Sequence, residues 1–277
     1  MLTVKSVADL NHCIATNIHK LNRKDYDVVV GIPRSGMLPA SIIATLLQLP
    51  LADVESYRQG RVWGRSGHIE GAGDRVLLVD DTSNKGGAMA AAVARIKRAS
   101  KITRFAVYGP YRDDYSIIDL FFEIVPGPRA FEWNFAKHAR LPRWGFDIDG
   151  VLCRDPTREE NDRGENYDVF IRDVPQLFRP LRPLGIIVTC RQERYRPQTE
   201  RWLASHGISY KHLVMSPKTR PQGSKGLWKA AMIRELAFSK DTRIEFFMES
   251  ELKQARQIAD TCKIPVWCSK TCEVIHA

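Results

Sequence analysis

Short apolar runs recur along this chain of 277 residues, and most are followed by a helix-like pattern before the next run begins. Alternation of this kind predicts βαβ units around a parallel sheet. The pattern pauses at a proline-containing stretch and restarts at Trp144, and the length suits two domains better than one. We therefore expect an α/β protein with two Rossmann-like domains of mainly parallel sheet, 1–140 and 141–277. The apolar runs lie at 27–30, 76–79, 105–108 and 120–124, then at 144–146, 185–188, 244–248 and 264–267.

The net charge of +10 narrows the classes of partner. The basic residues of the chain are scattered along the sequence, which favours small anionic substrates over nucleic acid or a membrane surface as its partners. No apolar run reaches the roughly 18–20 residues of a membrane helix, and the N-terminus lacks a signal core, so a cytoplasmic protein is expected. The six cysteines show no metal-site spacing, and reduced thiols are the simpler interpretation.

A glycine-flanked turn, Gly31-Ile32-Pro33-Arg34-Ser35-Gly36, follows the first run and opens a helical pattern. Ligands bind beyond the carboxyl ends of strands in open parallel sheets. Glycine allows the backbone to approach an anion, and the N–H groups at a helix start point at it. A phosphate-binding turn is one interpretation, and a simple β-to-α turn is the other.

The second run ends in two adjacent carboxylates, Asp80 and Asp81, before a small polar loop at 82–87. The loop and the following helix start can surround a phosphate with N–H and hydroxyl donors. The two carboxylates can accept hydrogen bonds from the vicinal hydroxyls of a sugar. A phosphate beside a diol points to a ribose 5-phosphate, and an Asp-Asp helix cap is the alternative.

These motifs resemble those of type I phosphoribosyltransferases. The resemblance implies that Asp80 and Asp81 hold the ribose hydroxyls of 5-phosphoribosyl 1-pyrophosphate (PRPP), that the 82–87 loop holds its 5-phosphate, and that the first turn holds pyrophosphate. It also implies Mg²⁺ between pyrophosphate and ribose oxygens, and a dimer is common among type I relatives. The implied PRPP-binding residues are Arg34, Ser35, Gly36, Asp80, Asp81, Thr82, Ser83, Asn84, Lys85, Gly86 and Gly87.

Two further segments complete the expected transferase site. The Gly- and Arg-rich stretch between Glu55 and Arg75 has the composition of a loop without strand or helix. By resemblance it is a flap that brings arginines 58, 61 and 65 to pyrophosphate, and an inert exposed loop is the alternative. The acceptor is expected at 126–138, where Phe131 and Trp133 can stack on a flat base. Core aromatic residues are an equally good interpretation of that pair.

In the second half, Phe146-Asp147-Ile148-Asp149-Gly150 places two carboxylates one residue apart after a strand. One carboxylate can attack phosphorus to form an aspartyl phosphate, and the other can protonate the leaving oxygen and later activate water. A calcium loop is the rival, but its further ligands and terminal Glu are missing at the required spacing.

This motif resembles the first motif of haloacid-dehalogenase-like hydrolases, and the others follow in order. The resemblance implies that Asp147 is the nucleophile, that Asp149 is the general acid/base, and that Thr189 binds the phosphoryl group. The expected lysine is Lys229, with Lys225 and Lys218 as rivals. Mg²⁺ would be held by Asp147, by the main-chain carbonyl of Asp149, and by Glu249.

Between Asp147 and Thr189 the chain is too short for a large cap domain. The arginines at 191, 194 and 196 follow Thr189. They can hold further anionic groups of a substrate, or they can form an exposed helical face.

Together these motifs predict a bifunctional enzyme. The first site would transfer 5-phosphoribosyl from PRPP to an acceptor with release of pyrophosphate, and the second would remove the 5-phosphate. A nucleobase or similar heterocycle is the expected acceptor, and a glycan or other hydroxyl is the alternative. Two unlinked activities, or a PRPP-sensing regulator beside a separate phosphatase, also remain open.

Overall fold

The structure is a computed structural model that describes residues 2–71, 73–109, 117–162, 164–217, 224–237 and 243–276. The chain divides into two compact units, one of residues 7–129 and one of residues 1–6 with 130–277. Residues 130–140, expected in the first domain, pack with the second unit. The position at which the two functional domains meet stays a prediction.

The N-terminal unit is built on a sheet of seven strands in the order β5-β4-β3-β2-β6-β7-β8. Strands β3, β2, β6, β7 and β8 run parallel to one another, whereas β4 is antiparallel to β3 and to β5. The valines of β2 are completely buried, as expected for a parallel strand covered on both faces. After β1 (Thr3–Lys5), which belongs to the other unit, the elements are α1 (Val7–Asn17), β2 (Val28–Gly31), α2 (Met37–Leu47), β3 (Leu51–Asp53), α3 (Val54–Arg58), β4 (Arg61–Gly64), β5 (Gly67–Glu70), β6 (Arg75–Thr82), α4 (Gly87–Arg95), β7 (Lys101–Gly109) and β8 (Leu120–Ile124).

The Gly- and Arg-rich stretch contains the hairpin β4–β5, so its interpretation as a loop without strands was wrong. The first strand of the hairpin pairs with β3 through Leu51 and Trp63, and Val62 is fully buried. Strand formation here depends on this tertiary pairing, because the segment's own β propensity is low.

The C-terminal unit contains a sheet of six strands in the order β12-β11-β10-β13-β14-β15, all parallel except the last. Its core includes Trp144, Phe146, Trp202 and Phe246, each at most 2% exposed. The elements are β9 (Arg129–Phe131), which pairs with β1, then β10 (Trp144–Phe146), α5 (Glu165–Asp173), β11 (Leu184–Gln192), α6 (Arg196–Ser205), β12 (Tyr210–Ser216), α7 (Lys225–Ala237), β13 (Phe246–Glu249), α8 (Leu252–Cys262), β14 (Val266–Cys268) and β15 (Glu273–Ile275).

The expectation of an α/β protein with two mainly parallel sheets is thus confirmed. None of the described helices has both the length and the hydropathy needed to cross a membrane.

Candidate active sites

In the N-terminal unit, the two predicted phosphate-binding segments lie at the ends of adjacent parallel strands. Gly31 of β2 is in register with Val79 of β6, and the Ile32 N–H donates to the Val79 carbonyl at 2.9 Å. A Cβ on Gly36 would lie 2.8 Å from the Val79 carbonyl oxygen and 3.0 Å from the Cα of Asp80. The turn after β2 therefore needs glycine at 36 to lie against the end of β6. Arg34 and Ser35 belong to this turn.

Asp80 and Asp81 are residues of β6 itself and are buried, at 8% and 4% exposure. The Asp81 N–H donates to the Asp80 carboxylate at 2.9 Å. Burial raises the pKa of Asp80 to about 8; a side-chain hydrogen bond with Asp81 and the charge of Asp81 add to this effect, and the Asp81 N–H opposes it. Asp80 is therefore held in a largely protonated state at neutral pH.

The loop that follows has the features of a phosphate cradle. The Thr82 hydroxyl oxygen is buried and has no hydrogen-bond partner within the described residues. Gly86 has φ +71°, and a Cβ there would also collide with Ile117 at 2.1 Å. The helix α4 begins at Gly87 and directs its first N–H groups toward this loop. Ser83 is buried, whereas Asn84 and Lys85 are exposed.

Arg129 holds this loop in place and was not identified from the sequence. Its guanidinium donates to the Ser83 carbonyl at 2.7 Å, to the Val125 carbonyl at 3.0 Å and to the Gly109 carbonyl at 3.2 Å. One side chain thus joins the loop to the chain at the ends of β7 and β8. No local pattern signals this role, because the partners lie 4, 20 and 46 residues away in the sequence.

The three arginines expected to reach pyrophosphate, at positions 58, 61 and 65, have other surroundings in the structure. Arg58 forms an exposed ion pair with Glu55, and Arg61 bonds to Gln59. Arg65 lines a separate pocket beside Trp63. Their contact with pyrophosphate stays a prediction.

The proposed acceptor residues lie in the C-terminal unit. Phe131 and Trp133 stack on each other with ring centroids 5.1 Å apart, and Phe131 is buried. Their role in base stacking stays a prediction.

In the C-terminal unit, a buried lysine joins two strand-end carboxylates. Asp147 directly follows β10, and Glu249 is the last residue of β13, the parallel neighbour of β10. The Lys229 ammonium donates to Asp147 at 2.5 Å and to Glu249 at 2.6 Å. All three residues are at most 5% exposed. Of the three candidate lysines, Lys229 is therefore the one beside both carboxylates.

Burial governs the electrostatics of this cluster. It raises the pKa of Asp147 to about 7, against the lowering effect of the Lys229 charge. Burial alone would lower the pKa of Lys229, but Asp147 and Glu249 raise it above its ordinary value. Lys229 therefore stays protonated at neutral pH.

Asp149, two residues beyond Asp147, is held by Arg191. The guanidinium donates to the Asp149 carboxylate at 2.6 and 3.1 Å, and the Tyr167 hydroxyl donates to it at 3.3 Å. The Arg191 side chain has no exposed surface, and its Nη1 has no partner among the described residues. Its guanidinium lies 5.8 Å from the ring of Phe170 and 5.9 Å from that of Trp202.

The interpretation of the basic residues after Thr189 as one exposed face was wrong for Arg191, which lies within β11 and is buried. Arg196 pairs with Glu193 and Glu200, and Arg194 lies over the ring of Tyr195.

Thr189 is fully buried in β11, where its hydroxyl oxygen accepts the Arg191 N–H at 3.2 Å. A pocket of about 500 Å³ opens beside it, and its wall includes the neighbouring Cys190. The pocket also contains Asp147, Asp149 and Lys229, so three predicted catalytic residues share one cavity. Lys225 lines its outer part, and Lys218 lies outside the described residues.

The donor chemistry of this cavity fits Mg²⁺. No three His, Cys, Asp or Glu side chains within the described residues form a metal cluster. The predicted set, however, takes only two side chains, Asp147 and Glu249, and uses the main-chain carbonyl of Asp149. All are hard oxygen donors of the kind that Mg²⁺ prefers.

Comparison with known proteins finds a family match within the first half of the chain. Residues 4–107 match the family described as phosphoribosyl transferase domain. The chain is 26% identical over 141 residues to an orotate phosphoribosyltransferase of Allorhizobium ampelinum, an alignment that covers 50% of this chain and 56% of that enzyme. An orotate phosphoribosyltransferase of Sulfurisphaera tokodaii is 30% identical over 27% of this chain and 39% of its own. The chain thus spans about half or less of the curated relatives it matches.

Among solved structures, a purine phosphoribosyltransferase from Pyrococcus horikoshii aligns with 19% identity and a TM-score of 0.36. That alignment covers 47% of this chain and 92% of the other.

Proposed function

We propose, from the match of residues 4–107 to the phosphoribosyl transferase domain family, that the chain transfers 5-phosphoribosyl from PRPP to a nucleobase-like acceptor and then removes the 5-phosphate. The first step breaks the bond between ribose C1 and pyrophosphate and joins C1 to the acceptor. The second hydrolyses the phosphomonoester and releases inorganic phosphate.

Adjacency of the turn at Gly36 to Asp80 supports the first step. The loop at 82–87, with its unpartnered Thr82 hydroxyl, would hold the 5-phosphate, and Asp80 and Asp81 would accept hydrogen bonds from the ribose hydroxyls. Arg34 and Ser35 would bind the leaving pyrophosphate. Stabilising the negative charge on that leaving group is the main contribution required of the protein.

Orotate is the first acceptor to test, because the curated relatives are orotate phosphoribosyltransferases. Other nucleobases belong in the same assay, as do glycans and simple alcohols, because the sequence left a hydroxyl acceptor open.

The position of Lys229 between Asp147 and Glu249 is the observation that carries the second step. A carboxylate oxygen of Asp147 would attack phosphorus, and the ester oxygen would leave with a proton from Asp149. Asp149 would then take a proton from water, whose oxygen attacks phosphorus and frees Asp147. Lys229 would favour the ionised form of Asp147 against the effect of burial and would face the phosphoryl oxygens. This is the chemistry expected of a haloacid-dehalogenase-like phosphatase.

Mg²⁺, when bound by Asp147, Glu249 and the Asp149 carbonyl, would neutralise phosphate charge and reduce its repulsion with the nucleophile.

The test is an acceptor screen with labelled PRPP on the Asp147→Asn variant, with products followed by mass spectrometry and pyrophosphate release. A phosphoribosylated product should accumulate in the variant, and the unmodified protein should convert that product to its dephosphorylated form. Asp80→Asn combined with Asp81→Asn should abolish transfer and leave phosphatase turnover intact.

Each half of the proposal has its own refuting result. PRPP binding without pyrophosphate release on any acceptor would favour a sensor over a transferase. A transferase product that the unmodified protein does not hydrolyse would separate the two activities. Loss of both activities in a folded Asp147→Asn variant would contradict the two-site mechanism.

A further inference from the structure

A second cation lines the phosphatase pocket outside the catalytic cluster. Lys225 is the first residue of α7 and stands one turn before Lys229 on the same helix. Both lysines line the cavity of about 500 Å³ that contains Asp147 and Asp149. Side chains four residues apart on a helix have Cβ atoms about 5–6 Å apart on one face. Lys225 therefore lies on the same side of the helix as Lys229, one turn nearer the start of the helix.

The two lysines differ in their surroundings. Lys229 is buried between two carboxylates. Lys225 is exposed and has no hydrogen bond or ion pair with any of the residues that the structure describes. The third lysine of the cavity, Lys270, is already paired with Asp155 and Glu251. Among the three described lysines that line the cavity, Lys225 is thus the one without a carboxylate partner in the described residues.

The position of Lys225 at a helix start is electrostatically unfavourable. The N-terminus of a helix carries partial positive charge, so a cation there is destabilising. A bound anion would reverse this effect. The packing keeps the helix start fixed, because a Cβ on Gly226 would lie 2.8 Å from the Cα of Gln254 on α8.

We propose that Lys225 forms a second anion subsite, so that the phosphatase prefers phosphomonoesters that carry another anionic group about one helical turn from the scissile phosphate. This inference rests on the proposed phosphatase function and specifies its substrate class. The second anion can be a phosphate on the same sugar or a carboxylate on the transferred acceptor, and Lys225 would recognise either by its charge.

Two matched substrate pairs distinguish these sources. Ribose 1,5-bisphosphate against ribose 5-phosphate tests a second phosphate, and orotidine 5′-monophosphate against uridine 5′-monophosphate tests an acceptor carboxylate. The unmodified protein should show at least a tenfold higher kcat/KM for the doubly anionic member of one pair, on the order of one charge-assisted contact. Lys225→Gln should remove most of that preference, with a much smaller effect on the other member. The exposed Lys253→Gln on α8 is the control and should retain the preference.

Equal kcat/KM for both members of both pairs in the unmodified protein would overturn the subsite. So would a Lys225→Gln variant that loses the same factor on all four substrates. If no substrate turns over, the phosphatase proposal fails instead. The subsite is then still tested by the dissociation constants of the same compounds for Asp147→Asn with and without Lys225→Gln.

Discussion

Replacing Lys229 by methionine should strongly destabilise the C-terminal unit. The substitution keeps the length of the side chain and removes the charge between Asp147 and Glu249. With an effective dielectric constant of about 20, each contact near 2.5 Å contributes roughly 6 kcal/mol before desolvation. Burial of the ions cancels much of this, but removing one partner leaves two buried carboxylates without their cation. We expect the free energy of unfolding to fall by about 3–5 kcal/mol.

The loss should depend on pH in a defined direction. In the variant, Asp147 is buried without Lys229, whose charge lowers its pKa in the unmodified protein, so its folded-state pKa rises further above that of the unfolded chain. The penalty is absent below the unfolded-state pKa of about 3.9, where the carboxyl is protonated in both states, and it grows as the pH rises. Because Lys229 has a raised pKa in the unmodified protein, its own charge is constant over this range. The difference between variant and unmodified protein should therefore be larger at pH 8 than at pH 5.

Urea unfolding followed by tryptophan fluorescence provides the assay. Five of the six tryptophans lie in the C-terminal unit, so the signal reports mainly on it. Lys225→Met on the same helix is the matched control, and it should change stability by no more than about 0.5 kcal/mol because the Lys225 side chain is exposed and has no partner among the described residues. A cost for Lys229→Met below about 1 kcal/mol, or one that is equal at the two pH values, would refute the reasoning.

Three further predictions concern single residues. Asp80→Asn should abolish transfer yet raise the free energy of unfolding at pH 7 by roughly 4 kcal/mol. The reason is that folding no longer raises the pKa of a carboxyl from its unfolded value to about 8. The gain, measured by urea unfolding, should disappear toward pH 4. Arg129→Ala should raise the KM for PRPP about tenfold, because the Ser83 carbonyl loses a charged hydrogen-bond donor. Phosphatase turnover is the internal control, and an unchanged KM would exclude a positioning role. Arg191→Gln should lower phosphatase kcat about 100-fold with little change in KM, because Asp149 loses its orienting partner; recovery of activity and of its pH profile by Arg191→Lys would support positioning by charge.

The strands and the acidic clusters were predictable because both depend on local sequence. Buried parallel strands appear as continuous apolar runs, and the limits of β8 agree with the apolar run at 120–124. Carboxylates directly after such runs must lie at the carboxyl edge of the sheet, and Asp147 and Glu249 do so on neighbouring strands. The helical pattern did not distinguish Lys229 from Lys225, because residues four apart on a helix lie on the same face. Lys229 was chosen by its position alone.

The structural features that sequence reasoning missed depend on distant contacts. The hairpin β4–β5 forms because β3 is available for pairing, which the composition of a Gly- and Arg-rich segment does not reveal. Arg129 acts through three carbonyl groups that leave no side-chain pattern in the sequence. Arg191 resembled part of a basic helical face, but β11 extends to Gln192 and carries it into the interior.

The two acidic clusters compensate for buried charge in different ways, and this difference bears on how each would bind its ligand. Asp80 keeps a proton near neutral pH, whereas Asp147 has the ammonium of Lys229 beside it. Sugar hydroxyls are better donors to an ionised carboxylate than to a protonated one, so binding of ribose at Asp80 would displace the proton and become more favourable as the pH rises toward 8. Burial raises the pKa of the nucleophile Asp147 to about 7 even with Lys229 beside it, so this carboxyl loses its proton near pH 7, whereas Asp80 loses its proton near pH 8. Transfer and hydrolysis on this chain would then respond differently to pH even though both begin with carboxylates at the ends of parallel strands.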